Sequence, residues 1–397
     1  MIVNRIKILS IVFCIILAIH WFIFFSWAQF FSIQIFSARI SLFLILFFLP
    51  VTFIFASILI HISNNFVTRA CYIISGLWLG LMSFLVFISA IVWIVKGLLW
   101  CIPFCHARSE IIISSLAFVL YGLAVMYTGF CHYKFYKIKI KNLSIPVKNL
   151  PEQWLGKKII HLSDLHLGGA KDLGFLKKLV VLVNDINADL ILITGDLFDG
   201  AGNSQERYMP YLNRFKAGKG VIFTSGNHEI YSGVEKSRAL IKDSKIRMLD
   251  NKAVIIDGMQ ILGISYPEFK DTCSFDFDNP KIFNKNMATI LLYHTPTDIK
   301  PKGKNLHDVR SSDYIAPDIG FSTAMNNGIG LQLSGHTHAG QFFPFTWIAD
   351  KVFKGFHYGL HQIGDFYINI SSGTGSWGPP LRSGYLSEIV VISLVRK

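Results

Sequence analysis

Four stretches of this chain contain no Asp, Glu, Lys or Arg: residues 8–38, 40–68, 70–95 and 111–133. About 20 apolar residues suffice to cross a bilayer as a helix, and backbone polar groups in hydrocarbon must find partners within the segment. The sequence therefore predicts four transmembrane helices, over 8–31, 40–62, 71–95 and 111–132, in a membrane region spanning residues 1–133. The first run is too long and too rich in Phe and Trp for a secretory signal peptide, and three more runs follow it. Pro50 and the Cys101–His106 stretch are the places where a re-entrant segment would most readily replace a plain span. After Tyr133 the texture changes to "KFYKIKIKNLSIPVKNLPEQWLGKK". Residues 134–154 read as a basic juxtamembrane linker and 155–397 as one soluble domain. The mean hydropathy of +0.45 fits a chain that is part membrane and part globular.

The formal charge of +13 is unevenly placed. Six basic residues and one acidic residue precede position 134; the other 32 basic and 24 acidic residues leave the soluble part at +8. Lys134, Lys137, Lys139, Lys141, Lys148, Lys157 and Lys158 concentrate that charge just after the last span. A basic juxtamembrane segment is attracted to anionic headgroups, so a membrane surface is the expected partner and nucleic acid is not. Arg5 and Lys7, Arg69 and this lysine cluster all fall on one side of the membrane, against Arg39, Lys96 and Arg108 on the other. The positive-inside rule then puts the globular domain in the cytoplasm, at the inner membrane of a bacterium. Five of the six cysteines lie in the membrane region, which excludes a disulfide scaffold or a Cys-based zinc site in the soluble domain. Cys101 and Cys105 are close enough in sequence to pair. The spans lack interior acidic or Lys residues of the kind ion-coupled transport uses.

The soluble domain alternates strand and helix signals, with a hairpin around Asp257-Gly258. Five apolar strands each end in a polar cluster: Asp164/His166, Asp196/Asp199, Asn227/His228, His294 and His336/His338. In α/β sheets, loops beyond the carboxyl ends of strands converge to bind ligands. One His after a strand is unremarkable; five Asp/Asn/His clusters at five strand ends point to a shared metal site. The donors are oxygen and nitrogen without thiolate, which suits Mn, Fe, Zn or Co. They are too many for one ion. Two ions sharing a carboxylate would use them all, clamping the attacking and leaving oxygens of a displacement at phosphorus and acidifying a water between them.

Asp164-x-His166, Gly195-Asp196-x-x-Asp199, Gly226-Asn227-His228-Glu229, His294 and Gly335-His336-Thr337-His338 together resemble the calcineurin-like metallophosphoesterase superfamily. The resemblance covers about residues 155–395 and implies a four-layer αββα sandwich with two mixed sheets. It implies that Asp164, His166 and His338 hold one metal, that Asn227, His294 and His336 hold the second, and that Asp196 bridges them. It favours Mn. His228 would face the substrate as an acid or phosphoryl-stabilising group, partnered by Asp199, and Glu229 would be structural. Asp199 itself would otherwise serve as a helix N-cap. Gly335 and Gly340 would give the His-x-His turn its backbone freedom. Phosphoprotein phosphatases of this superfamily carry Arg after the second aspartate; Gly200 stands there here, which argues against a phosphoprotein substrate.

"GHTHAGQFFPF" and "GTGSWGPPLRSGYLSEI" resemble a bacterial membrane-associated branch that includes phosphodiesterases and a UDP-2,3-diacylglucosamine pyrophosphatase. That likeness implies a diester or pyrophosphate substrate, lipid-linked or close to the membrane, with Trp377 and Arg382 as candidate phosphate or headgroup contacts. A soluble diester and a catalytically silent sensor are the alternatives. The stretch "FFPFTWIADKVFKGFHYG" reads either as a helix packed on the core or as a loop against the bilayer, where aromatic and Lys side chains suit the interface.

Overall fold

The computed structural model describes residues 2–102, 108–199, 205–267, 275–299, 314 and 316–397. The Cys101–Cys105 pairing and an N-cap role for Asp199 both involve residues outside that set. The chain forms two compact units: residues 1–134 together with Gly378–Leu381, and residues 135–377 together with 382–397.

In the first unit the apolar runs become α1 (Ile2–Phe30), α2 (Phe36–Ile62), α3 (Phe66–Trp100) and α4 (Ser109–Phe135). All four are long and apolar enough to cross a membrane. Each extends past the boundaries expected from charge-free sequence, because Arg39, Lys96 and Glu110 ride on the helix ends instead of terminating them. Pro50 lies inside α2, so no re-entrant break forms there. Hydrogen bonds join the helices: Trp78 Nε1 donates to His20 Nε2 (3.0 Å), Trp93 Nε1 to Ser26 Oγ (2.9 Å), and Ser89 Oγ meets Tyr121 OH at 2.8 Å. Such bonds link helices where apolar burial supplies no driving force. His20 is thereby a packing residue.

Gly76 and Gly80 stand one turn apart on α3, the small-xxx-small spacing that lets a backbone approach closely. What approaches is the Gly378–Leu381 loop. A Cβ on Gly76 would fall 2.7 Å from Pro380 Cδ, and one on Gly80 would fall 1.7 Å from Leu381 Cδ1. The His132 ring donates through Nδ1 to the Pro380 carbonyl (2.9 Å). Leu381 is fully buried.

The second unit contains two six-stranded sheets. The first has order β1 (Ile138–Val147), β12 (Ser387–Arg396), β2 (Lys158–Leu162), β3 (Leu190–Thr194), β4 (Val221–Thr224), β5 (Ile246–Met248). The second has order β10 (Gly359–Ile363), β11 (Phe366–Ile370), β9 (Leu331–Ser334), β8 (Thr289–Tyr293), β7 (Met259–Ile264), β6 (Lys252–Ile256). Both are mixed: β2–β5 run parallel but β12 pairs antiparallel with β2, and β6 and β10 pair antiparallel at the edges of the second sheet.

Strand alternation builds the layers. From "LILIT", Leu190 and Leu192 face the inter-sheet core with Ile290, Leu292, Leu331 and Leu333. Ile191 and Ile193 face the other way, into a core with Leu176, Leu179 and Val183 of α5 (Leu173–Asp185). The second sheet covers its outer face with Phe283, Ile299, Phe321 and Ile329. This is a four-layer αββα sandwich. The hairpin around Asp257-Gly258 joins β6 to β7, with Ile256 opposite Met259 and positive φ at both turn residues.

Residues 134–154 are not a linker throughout: Ile138–Val147 is an edge strand, paired along its whole length with β12. The isoleucines and lysines of "IKIKNLSIPV" alternate with the period of a strand, which a charge-based reading takes for a solvated run. Lys141 lies with Nζ 4.4 Å from the centre of the Tyr358 ring. Burial lowers its pKa, opposed by the nearby Glu388, so its charge belongs to the domain.

Filling the α3 notch should loosen the first unit. Gly80→Leu is expected to lower the thermal midpoint of the detergent-solubilised protein, since overpacking costs about 1–3 kcal/mol. Gly122→Leu, on α4 with nothing within 4 Å of its Cβ position, should leave it unchanged. Equal midpoints for the two variants would show that the loop leaves the notch at no cost.

Candidate metal centre

β2, β3 and β4 are parallel neighbours in one sheet, and β8 and β9 in the other. Their carboxyl ends carry all five polar clusters. Asp164 (φ 53°), His166 (φ 45°), Asp196 (φ 53°), His336 (φ 70°) and His338 (φ 50°) occupy the left-handed region. Asp and His tolerate that region better than most side chains, and each such residue turns its loop back over the sheet end. Three glycines let the loops close up. A Cβ on Gly195 would lie 2.5 Å from His294 Nδ1, one on Gly226 2.3 Å from Asp196 Oδ1, and one on Gly335 1.9 Å from Ser163 Oγ. Gly335 thus supplies room. The unusual backbone of the His-x-His turn sits on the histidines themselves and on Ala339 and Gly340.

The donor atoms converge. His166 Nε2 and His338 Nε2 are 3.0 Å apart, and Asp164 Oδ1 is 3.4 Å from the latter. Asp196 Oδ2 lies 3.6 Å from His166 Nε2 and 3.2 Å from His294 Nε2. Asn227 Oδ1 lies 3.0 Å from His294 Nε2 and 2.9 Å from His336 Nδ1. Asp164, His166, Asp196, Asn227, His294 and His338 are all buried. Among the described residues, Asp164/His166/His338 and Asp164/Asp196/His294 each present ligand atoms within 4.8 Å of one another, and so do His166/Asp196/His228. Buried, mutually facing carboxylates and imidazoles without thiolate fit divalent cations. Asp164, His166 and Asp196 each belong to two of the three groups.

The surroundings hold these groups in register. His294 Nδ1 donates to the Thr194 carbonyl (2.7 Å), which turns Nε2 toward the centre. The His336 N–H donates to Asp164 and the His228 N–H to Asp196 Oδ1 (2.9 Å). Glu229 accepts from the backbone N–H groups of Gly226, Asp196, Leu197 and Phe198 at 2.8–3.2 Å. Its carboxylate is spent on tying the β3 loop to the β4 loop, which makes it structural. On the protein groups alone, the electrostatics are tightly opposed. Burial disfavours a charged His294, but Asp196 and Asp164 overcome it and hold its pKa at about 10. Burial and the charged His294 push His336 down to about 3. Burial also pushes Asp164 up, whereas His294 and His228 outweigh burial at Asp196 and hold it well below the usual carboxylate range.

Asp199 stands between two imidazoles. Its Oδ1 is 3.4 Å from His166 Nδ1 and 3.7 Å from His228 Nδ1. It therefore stands as close to His166 as to His228, which sequence spacing does not reveal. Trp377 is half exposed with its ring centre 6.0 Å from that of His228. Arg382 takes a different part from the headgroup contact expected of it. Its fully buried guanidinium donates to Ser376 Oγ and to the carbonyls of Ser372, Gly375 and Tyr385. It braces the loop from Ser372 to Ser376, in which a Cβ on Gly373 would touch His338 Nδ1 at 2.9 Å. Lys171 was not singled out by the sequence. It is fully buried, donates to the Phe135 carbonyl (2.7 Å) and lies over the Phe135 and Phe175 rings. Burial holds its pKa well below the lysine range.

This sandwich with its centre at the strand ends is the architecture of metal-dependent phosphoesterases. A family model for calcineurin-like phosphoesterases matches residues 157–340. The chain is 31% identical over 305 residues to an uncharacterized metallophosphoesterase of Helicobacter pylori, covering 75% of each chain. It is 32% identical over 264 residues to one of Campylobacter jejuni, covering 65% of this chain and 64% of that one, just under two thirds of its length. It is 30% identical over 276 residues to a zebrafish transmembrane protein with metallophosphoesterase domain, covering 64% of this chain and 57% of the relative. The chain belongs to the calcineurin-like phosphoesterase family. Four of its helices are long and apolar enough to cross a membrane.

Replacing the shared carboxylate tests the arrangement directly. Asp196→Asn should reduce bound metal, read by elemental analysis of Mn-loaded protein, and lower hydrolysis below about a tenth of the native rate. Native metal content in that variant would remove Asp196 from the ligand set.

Proposed function

We propose that the protein hydrolyses a phosphodiester or phosphoanhydride with a pair of divalent ions, on a substrate at the membrane surface. The observation that carries the dinuclear reading is the position of Asp196 Oδ2 between His166 Nε2 (3.6 Å) and His294 Nε2 (3.2 Å), one histidine from each proposed ligand set. Asp164, His166 and His338 would hold one ion and Asn227, His294 and His336 the other, with Asp196 shared and Mn the favoured metal. The ions, when bound, supply Lewis-acid charge and acidify water. The protein's own groups do the rest. Asp196 Oδ1 accepts from the His228 N–H, which fixes the start of the helix Asn227–Ser232 under the centre. The His228 side chain is partly exposed beside these buried ligands. Asp199 faces its Nδ1, and the ring is placed to hold a proton for the leaving oxygen.

The membrane reading rests on the helix Phe345–Val352, which follows the His-x-His turn and contains no buried residue. Phe343, Phe345, Trp347 and Ile348 are 40–60% exposed there. Phe342, Phe353 and His357 of the same stretch are buried and Phe356 packs on the core, so its ends anchor to the domain while the exposed aromatic apolar face between them suits a bilayer interface. The basic residues in the short loops favour a cytoplasmic domain at a bacterial inner membrane, and Lys148 and Lys158 are exposed to solvent.

The first assay is Mn-dependent hydrolysis of bis-p-nitrophenyl phosphate by the detergent-purified full chain. His228→Ala should keep its metal and lose about 10²–10⁴ in turnover; loss of metal instead would make His228 a ligand. Trp347→Asp should lower hydrolysis of a phosphodiester presented in anionic vesicles while sparing the soluble diester. An equal effect on both would refute the interfacial role.

A further inference from the structure

The rim of the metal centre is built from aromatic rings. Trp377 and Tyr231 flank His228, with ring centres 6.0 and 6.1 Å from its imidazole. Tyr314 lies 4.9 Å from the His336 ring, and its hydroxyl is 3.4 Å from that of Tyr231. Tyr266 lies behind them, fully buried, 6.4 Å from His336 and nearly parallel to it. An arc of rings thus runs from the imidazole assigned to the leaving group to one assigned to the second ion. Its three outer members are 54%, 50% and 49% exposed. Exposed rings gathered around a site, unlike rings scattered singly, mark a ligand-binding surface.

Two further facts narrow what that is. The exposed members are an indole and two phenols, and none is an aliphatic side chain. A pair of aromatic rings is worth more than the area it buries, an increment that an alkyl chain does not receive. Arg382, the cation that follows Trp377 most closely in sequence, donates all its described hydrogen bonds to backbone carbonyls and Ser376. It does not serve a second phosphate.

We propose that Trp377, Tyr231 and Tyr314 select a phosphodiester whose ester group carries a planar ring, such as an aryl group or a nucleobase, over one carrying an alkyl chain. This rests on the hydrolytic reading above and narrows it: the phosphoryl group goes to the metal centre and the ring stacks on the rim beside His228. An anhydride with two phosphates finds no second cationic subsite in the described part of this rim.

The test separates the ring from mere apolarity. Phenyl phosphate, cyclohexyl phosphate and butyl phosphate are titrated calorimetrically into the Mn-loaded full chain, with bis-p-nitrophenyl phosphate hydrolysis followed in parallel. Phenyl phosphate should bind about 2- to 10-fold more tightly than cyclohexyl phosphate, the worth of an aromatic pair. That preference should vanish in the Trp377→Leu/Tyr231→Leu variant, whose metal content and melting midpoint show whether it is folded. Equal or tighter binding of the cyclohexyl or butyl ester by the native chain overturns the proposal, as does a preference that survives the double substitution. If the phenyl preference holds but bis-p-nitrophenyl phosphate is not hydrolysed, the rim assignment stands and the hydrolytic reading falls.

Discussion

Five charged or imidazole side chains reach one point only because their backbones turn left-handed at the ends of three strands, β2, β3 and β9. Each such turn costs an L-residue about 1–2 kcal/mol, somewhat less for Asp. Two carboxylates are also desolvated together. The sum is comparable with the whole stability of an ordinary domain, about 5–15 kcal/mol. The rest of the structure answers that cost. Leu190, Leu192, Leu331 and Leu333 lock the two sheets face to face, which fixes where the strands end. Glu229 then clamps the β3 loop to the β4 loop, and Arg382 braces the loop that backs His338. Neither residue need touch substrate for its loss to scatter the donors.

Much of this was legible because each cluster is local. Asp164 and His166, or His336 and His338, follow an apolar strand directly, so residue type and spacing expose both the element and its role. The convergence of five clusters followed from the rule that ligands gather beyond strand ends. Less was visible where the informative partner is remote. Ile138–Val147 looked like a linker because its pairing with Ser387–Arg396 lies some 250 residues downstream, and its lysines masked the alternation. Arg382 looked like a phosphate contact because its segment resembles the membrane-associated phosphoesterases; only the fold shows its guanidinium turned inward onto carbonyls. The spacing of Asp199 from Asp196 does not tell that its carboxylate lies as close to His166 as to His228. Gly335 was credited with backbone freedom when what the turn needs from it is space.

The surface around the centre divides by chemistry. On one side the helix Phe345–Val352 presents bulky apolar groups and a lysine, a composition suited to headgroups. On the other, Trp377, Tyr231 and Tyr314 present rings with polar edges. Two cations of this region are taken up by the scaffold: Arg382 is buried on backbone carbonyls and Lys171 on the Phe135 carbonyl.

The Gly378–Leu381 loop makes the first unit discontinuous in the chain. Residues 1–134 reach the membrane early in synthesis, but the notch along Gly76 and Gly80 stays open until residue 381 is made, almost 250 residues later. At typical elongation rates of about 5–20 residues per second, that interval is roughly 12–50 s. The bundle is therefore finished after every described strand but β12 has been translated, by the same segment that carries Trp377 and Arg382 at its two ends. A cut between residues 134 and 135 does not yield two self-sufficient pieces. It strips Pro380 and Leu381 of their cover, and it leaves α3 with a groove shaped for a loop it no longer has.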